Sequence, residues 1–184
     1  MDNIEELKSV KAWIPVVDDI TKPVHDNKDK YGGLPYIKNG MEWPKCKTCQ
    51  EYMHFLVQFS SNEKDLYQVF VCFSDSDCYE NDESHLVQKI IPNGSSEISS
   101  KIPKLFDQKY ITKYTIKEEK YDEEDDIYTR DKFYGIPPLF SEPDDNTLLI
   151  QLETEGNTDF HLADSGYIFV FENKDGLELT FYND

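Results

Sequence analysis

Apolar residues fall along this chain in short blocks, with little of the three-and-four spacing that marks a helix. "HFLVQF" (54–59) and "LYQVFVCF" (66–73) are rich in aromatic and β-branched side chains and flank "SSNEKD", which predicts an antiparallel pair. "SHLVQKII" (84–91) predicts a third strand. "AWIPVV" (12–17) reads as a strand that Pro15 pushes to a sheet edge, because proline cannot donate to a ladder. "PNGSSEISSK" (92–101) is low in bulk and high in turn formers, the natural seam between two halves. Beyond it "KYITKYTI" (109–116), "TLLIQLE" (147–153) and "SGYIFVFEN" (165–173) read as strands, and "LELTFY" (177–182) follows the "NKDG" turn. Residues 3–9 suffice for a turn or two of helix.

The two halves repeat a phrase. Residues 29–35 read "DKYGGLP" and residues 131–137 read "DKFYGIP", with four of seven letters identical. In each half the loop precedes an apolar strand carrying a glutamine, Gln58 or Gln151, and then an aromatic–aliphatic strand, "QVFVC" or "YIFVF". Gly32 and Gly33 allow positive φ and Pro35 fixes the loop exit; Gly135 and Pro137 stand at the matching places. The two glutamines are expected to satisfy backbone groups of their own loops rather than to bind a ligand. Tyr134, in place of the first glycine, suggests that the two loops are no longer equivalent. The expected fold class is α+β, β-rich, with two related antiparallel-sheet halves, about 10–92 and 103–184, packed as a single domain over 1–184. Each sheet alone is too small to close a core, and pairing them makes one sufficient.

Charge narrows the function. The chain has 184 residues, 37 acids against 19 bases and a net charge of −18. Arg130 is the only arginine. This argues against nucleic acid and anionic membranes as partners and favours a basic protein. Residues 1–92 hold 16 acids and 10 bases, net −6; residues 93–184 hold 21 and 9, net −12. The second half is therefore expected to be the better surface for a basic partner. Solubility alone would also account for the acidity. No apolar run has membrane-spanning length, and "MDNIEELKSV" lacks the apolar stretch of a signal peptide, so a reducing, cytoplasmic location is expected.

The cysteines sharpen the picture. Cys46 and Cys49 form C-x2-C in a tight turn, and Cys72 and Cys78 lie at the end of a strand and across the loop after it. A hairpin of 54–59 with 66–72 would return Cys72 toward Cys46 and Cys49. All four could then surround one structural Zn²⁺ with no open position. His85 is an alternative to Cys78 as fourth ligand, and His54 is also near in sequence. Reduced core cysteines and a C-x2-C redox pair are the competing readings, but no βαβ pattern accompanies the pair.

Catalytic signals are weak. None of the serine-hydrolase, phosphate-loop, dinucleotide or zinc-protease motifs is present. "DFHLADSGY" (159–167) brings His161, Asp164 and Ser165 into one segment, where a polar turn entering a strand is the simpler reading. His161 and Asp164 are the candidate pocket residues of an alternative enzyme reading, with a pocket between the halves beside the Gly-Pro loops. The contiguous acids of "KEEKYDEEDDIY" lack the glycine and alternation of a Ca²⁺ loop.

Taken in order, "DKYGGLP", "WPKCKTC", "HFLVQF", "TLLIQL" and "ADSGYIFVF" resemble the YwqG-like domain-of-unknown-function family over roughly residues 12–182. The resemblance implies a β-rich α+β fold with internal duplication and no established reaction; some members are thought to act as immunity or accessory proteins near toxin genes. The first half also resembles the programmed cell death protein 2 family, through Asp29, Lys30, Gly32, Gly33, Pro35, Cys46, Cys49, Phe55, Leu56, Gln58, Leu66, Tyr67, Phe70 and Cys72. That second resemblance implies a dedicated chaperone for a basic ribosomal protein, although the second half has no cysteines to match. The expected function is a non-enzymatic, zinc-stabilised, acidic protein-binding module.

Overall fold

The computed structural model describes residues 10–19, 24–61, 64–74, 78, 84–94, 103, 105–120, 130–137, 147–154, 156–158, 160 and 166–183. They form ten strands: β1 (Val10–Asp19), β2 (Lys30–Tyr31), β3 (His54–Ser60), β4 (Leu66–Val71), β5 (His85–Ile90), β6 (Lys109–Glu119), β7 (Lys132–Tyr134), β8 (Thr147–Glu153), β9 (Gly166–Asn173) and β10 (Gly176–Asn183). All belong to one antiparallel sheet, ordered β10-β9-β8-β7-β1-β6-β2-β3-β4-β5. Almost no helix occurs among the described residues, so the α half of the α+β expectation is not supported. Aromatic and β-branched runs covered on both faces account for β3, β4, β8 and β9. The helical turns expected at 3–9 lie outside the described residues. No helix among the described residues is long and apolar enough to cross a membrane.

The strand order is unchanged when it is read from the other end with β6–β10 substituted for β1–β5. β1 and β6 cross over: β1 pairs with β7 and β6 with β2, while the two lie side by side along their whole length. The sheet curls until its ends meet. The His85 ring on β5 packs 5.7 Å from Phe181 on β10, and Lys89 reaches Glu172 on β9 at 3.4 Å. One apolar cluster fills the interior with residues of both parts of the chain, among them Tyr31, Phe59, Val69, Phe133, Ile150, Ile168 and Val170. Phe59 and Phe133 are at its centre, 4.6 Å apart.

Pro15 corrects an expectation. β1 is not at the sheet edge but fifth in the strand order. Proline is tolerated there because β7 pairs only with Ala12 and Trp13 of β1, which leaves the rest of that side of β1 unpaired among the described residues.

The Gly-Pro loops bind the halves together. Gly32 donates its N–H to Leu56 O (2.8 Å) and Gly33 to Phe106 O (2.9 Å). Gln58 is fully engaged: Nε2 donates to Asp26 O and Lys28 O, and Oε1 accepts from Tyr36 N and Gln68 Nε2. In the second loop Gln151 Nε2 donates to Arg130 O. Asp29 accepts from Ser60 N and Asp131 from Glu153 N, each two residues past its strand's glutamine. Tyr134 does not change the loop backbone: its φ is 59°, beside 56° for Gly32. The residue types differ because of their surroundings. A Cβ at position 32 would sit 2.3 Å from Asp107 O, whereas the Tyr134 ring packs on Trp13 at 5.1 Å.

Gly32→Ala should therefore lower stability by about 3 kcal/mol in urea unfolding, combining overpacking with left-handed strain. Gly40, also left-handed but with nothing within 4 Å of an added Cβ, should lose only about 1 kcal/mol when changed to alanine.

Candidate metal centre

The first two cysteines sit on a short hairpin. Lys45 bridges Tyr52, Cys46 N donates to Glu51 O (2.8 Å) and Gln50 N donates to Cys46 O (2.9 Å). Gln50 turns the chain with φ 64°. The hairpin is anchored by Met53 N donating to Pro44 O (3.0 Å) and by the Trp43 indole N–H donating to Met53 O (2.7 Å). Beneath it lies a second apolar cluster on the outer face of β3 and β4, containing Ile37, Trp43, Met53, Phe55 and Phe70.

β4 carries the third cysteine to the same place. Cys72 follows β4 directly, and its N–H donates to Ser84 O (2.9 Å) just before β5. The β3–β4 pairing, His54 opposite Val71, returns the chain beside the hairpin. With Cys78 the set is complete: the four Sγ atoms lie within 4.8 Å of one another. Cys46 is 4.0 Å from Cys78 and Cys49 is 3.5 Å from Cys72. All four are free thiols; three are buried and Cys49 is half-buried. Such a set could hold a metal ion.

The electrostatics of the thiols differ sharply. Burial opposes ionisation of Cys46, but Ser84 and the backbone N–H groups of Cys49 and Thr48 outweigh it and bring the thiol down to about 6. Burial and the neighbouring sulfurs push Cys78 up to about 12, and burial also raises Cys72. A bound cation would remove this conflict, because it favours the thiolate at every position.

Ser84 is the residue that sequence reading missed. It is fully buried, 3.4 Å from Cys46 Sγ and 3.1 Å from Thr48 Oγ1. Its hydroxyl can donate to a Cys46 thiolate while Thr48 orients it. No spacing rule marks such a serine. His85 and His54 are not in the cluster: His85 packs on Phe181, and His54 lies between Phe73 and Phe106, 5.6 Å from each.

The pocket residues His161 and Asp164 lie outside the described residues. Beside the first loop, between residues 27–29, Ser60 and residues 110–114 of β6, there is a cavity of about 560 Å³. Its carboxylate is committed: Asp29 accepts from Tyr114 OH (2.6 Å) and Ser60 N (2.8 Å). Nearby, Tyr110 OH donates to Asp26 at 2.5 Å. Burial raises the Asp29 carboxyl against both of its hydrogen bonds. No histidine or cysteine lines the cavity among the described residues. Compared with known proteins, the chain matches no family model and no curated protein significantly.

If the cluster holds a metal, removing the Ser84 hydroxyl should loosen it without unfolding the chain. Ser84→Ala is expected to weaken metal retention by about tenfold in competition with a chromogenic chelator.

Proposed function

We propose that this chain is a non-enzymatic, zinc-stabilised, acidic protein-binding module, acting on a basic protein in the manner of an immunity protein or chaperone. One observation carries the proposal: every cysteine of the chain converges on one closed cluster. A tetrahedral zinc thiolate with bonds of about 2.3 Å sets its sulfurs about 3.8 Å apart. The 3.5 and 4.0 Å pairs bracket that value. Four ligands leave no position for substrate, so the metal's role is to fold the hairpin over β3 and β4, not to catalyse. Four reduced thiols fit a cytoplasmic setting.

Membership of the YwqG-like family and internal duplication belong to the same proposal. Duplication is supported by the reversible strand order and by the paired loop residues Asp29 and Asp131, Lys30 and Lys132, Gln58 and Gln151. The basic client is inferred from the net charge of −18, which favours encounter with cationic surfaces.

Elemental analysis should find about one zinc per chain and no iron; iron would point to a different tetrahedral thiolate centre. Cys46→Ser/Cys49→Ser, or chelation, should cost about 5 kcal/mol, roughly 15 °C in Tm. A metal-free chain of equal stability would remove the zinc reading. Pull-down from lysate at low salt should enrich basic proteins and lose them as salt rises. Recovery of only neutral or acidic proteins, insensitive to salt, would remove the basic-client reading.

A further inference from the structure

β6 has a side along which few described residues pair. Along one edge it pairs with β1 from end to end. Along the other, β2 pairs only with Lys109 and Tyr110, and Ile111 N donates to Asp29 O (3.0 Å). Past that point no described residue pairs with β6 on this side, and the cavity lined by Asn27, Lys28, Asp29 and Ser60 opens beside residues 110–114. Thr112, Lys113, Thr115, Ile116 and Glu118 are exposed. Ile116 is 58% exposed, one of three large apolar side chains so placed among the described residues.

The backbone of this stretch is oriented to accept a strand. Pro15 has no N–H to give β6, so its pair with Tyr114 is of the non-hydrogen-bonded kind. The N–H and C=O of Tyr114 then point away from β1, and by alternation so do those of Ile116 and Glu118. The corresponding free side of β1 has Pro15 in it and is blocked by the proline. The two open edges are therefore not equivalent, and only that of β6 offers an unbroken ladder.

We propose that the open edge of β6 over residues 112–118 is a strand-addition site for an extended peptide that alternates apolar and acidic residues. Side chains of an added strand alternate in step with those of β6. One face presents Tyr114 and Ile116, which match apolar residues, with Glu118 beyond them at the end of the stretch. The other presents Lys113, Thr115 and Lys117, with Lys28 at the cavity rim, which match acids. In a chain of net charge −18 this lysine row is a local reversal of sign. It also disfavours a second copy: an antiparallel β6–β6 pair would bring the lysines of two chains face to face. These lysines are opposite in sign to the overall acidity from which the basic client is inferred, and the test does not depend on that client.

The test is fluorescence anisotropy on the whole, metal-replete chain with a labelled peptide of alternating valine and glutamate. Three comparisons accompany it: lysine in place of glutamate, the same peptide N-methylated at alternate residues, and the Lys113→Glu chain. The glutamate peptide should bind in a salt-sensitive way and the N-methylated one should not, because it cannot complete the ladder. Lys113→Glu should weaken the glutamate peptide about fivefold and favour the lysine peptide. Equal binding of the N-methylated peptide would overturn strand addition. Equal binding by the Lys113→Glu chain would overturn the acidic preference. No binding at millimolar peptide, or a dimer that the peptide dissociates in sedimentation, would overturn the proposal as a whole.

Discussion

The whole sheet depends on how a two-residue strand is held between two long ones. β2 is only Lys30–Tyr31, yet it joins β3 to β6 and so ties the first part of the chain to the second. Two residue pairs per side cannot supply that grip alone. It comes from the groups around the loop. The buried Lys30 ammonium donates to Val24 O (2.6 Å) and Asp26 (2.7 Å), Gln58 holds the carbonyls of Asp26 and Lys28, and Asp29 is held by Tyr114 and Ser60. Burial lowers the Lys30 pKa, and Asp26 offsets it. A buried cation is costly unless every donor is used, so the geometry of the loop is tightly specified once the lysine is inside.

The same solution appears at β7, reached differently. Lys132 is buried and donates to both oxygens of Glu119 (3.0 and 2.9 Å) and to Ile136 O (3.1 Å), while Glu119 accepts from Ile136 N. Here the counter-ion comes from the end of β6 instead of from the loop. Gly135 has no Cβ because one would lie 2.5 Å from the Glu119 carboxylate. The four-cysteine cluster belongs to neither loop. Its apolar cluster covers the outside of β3 and β4, separate from the interior shared by both parts of the chain. Metal binding would accordingly order the covering hairpin, and the interior would keep its own aromatic packing.

Much of this was legible in the sequence, and the rest was hidden for identifiable reasons. β3, β4, β8 and β9 announce themselves through dense aromatic and β-branched runs, and the cysteine spacing across the β3–β4 hairpin located the thiol cluster. The repeated Asp-Lys at 29–30 and 131–132 was visible, but lysine is so seldom buried that its internal role was not. Glu119 stands at the start of an acid-rich run and looks like solvent-facing charge. The crossing of β1 with β6 and the closure of β5 on β10 depend on sheet twist and on pairings about 100 residues apart, which local pattern cannot register. Ser84 has no signature at all, because a hydroxyl that orients a thiolate need only be near it in space.

Pro15 shows how a local rule can hold while its usual inference fails. Proline does avoid the paired side of a strand, and here it faces an unpaired side, but that side lies in the middle of the strand order. Short partners, β2 and β7, make this possible by leaving most of β1 and β6 unpaired along one edge each among the described residues. A sheet that closes end to end would be expected to have no exposed edge. This one moves its edges inward, to the crossing ribbon, and protects them unequally, with a proline on β1 and lysines on β6. Proline blocks a ladder whatever the partner, whereas lysine repels only some partners and attracts others. The edge guarded by charge is thus the one that retains the capacity to select.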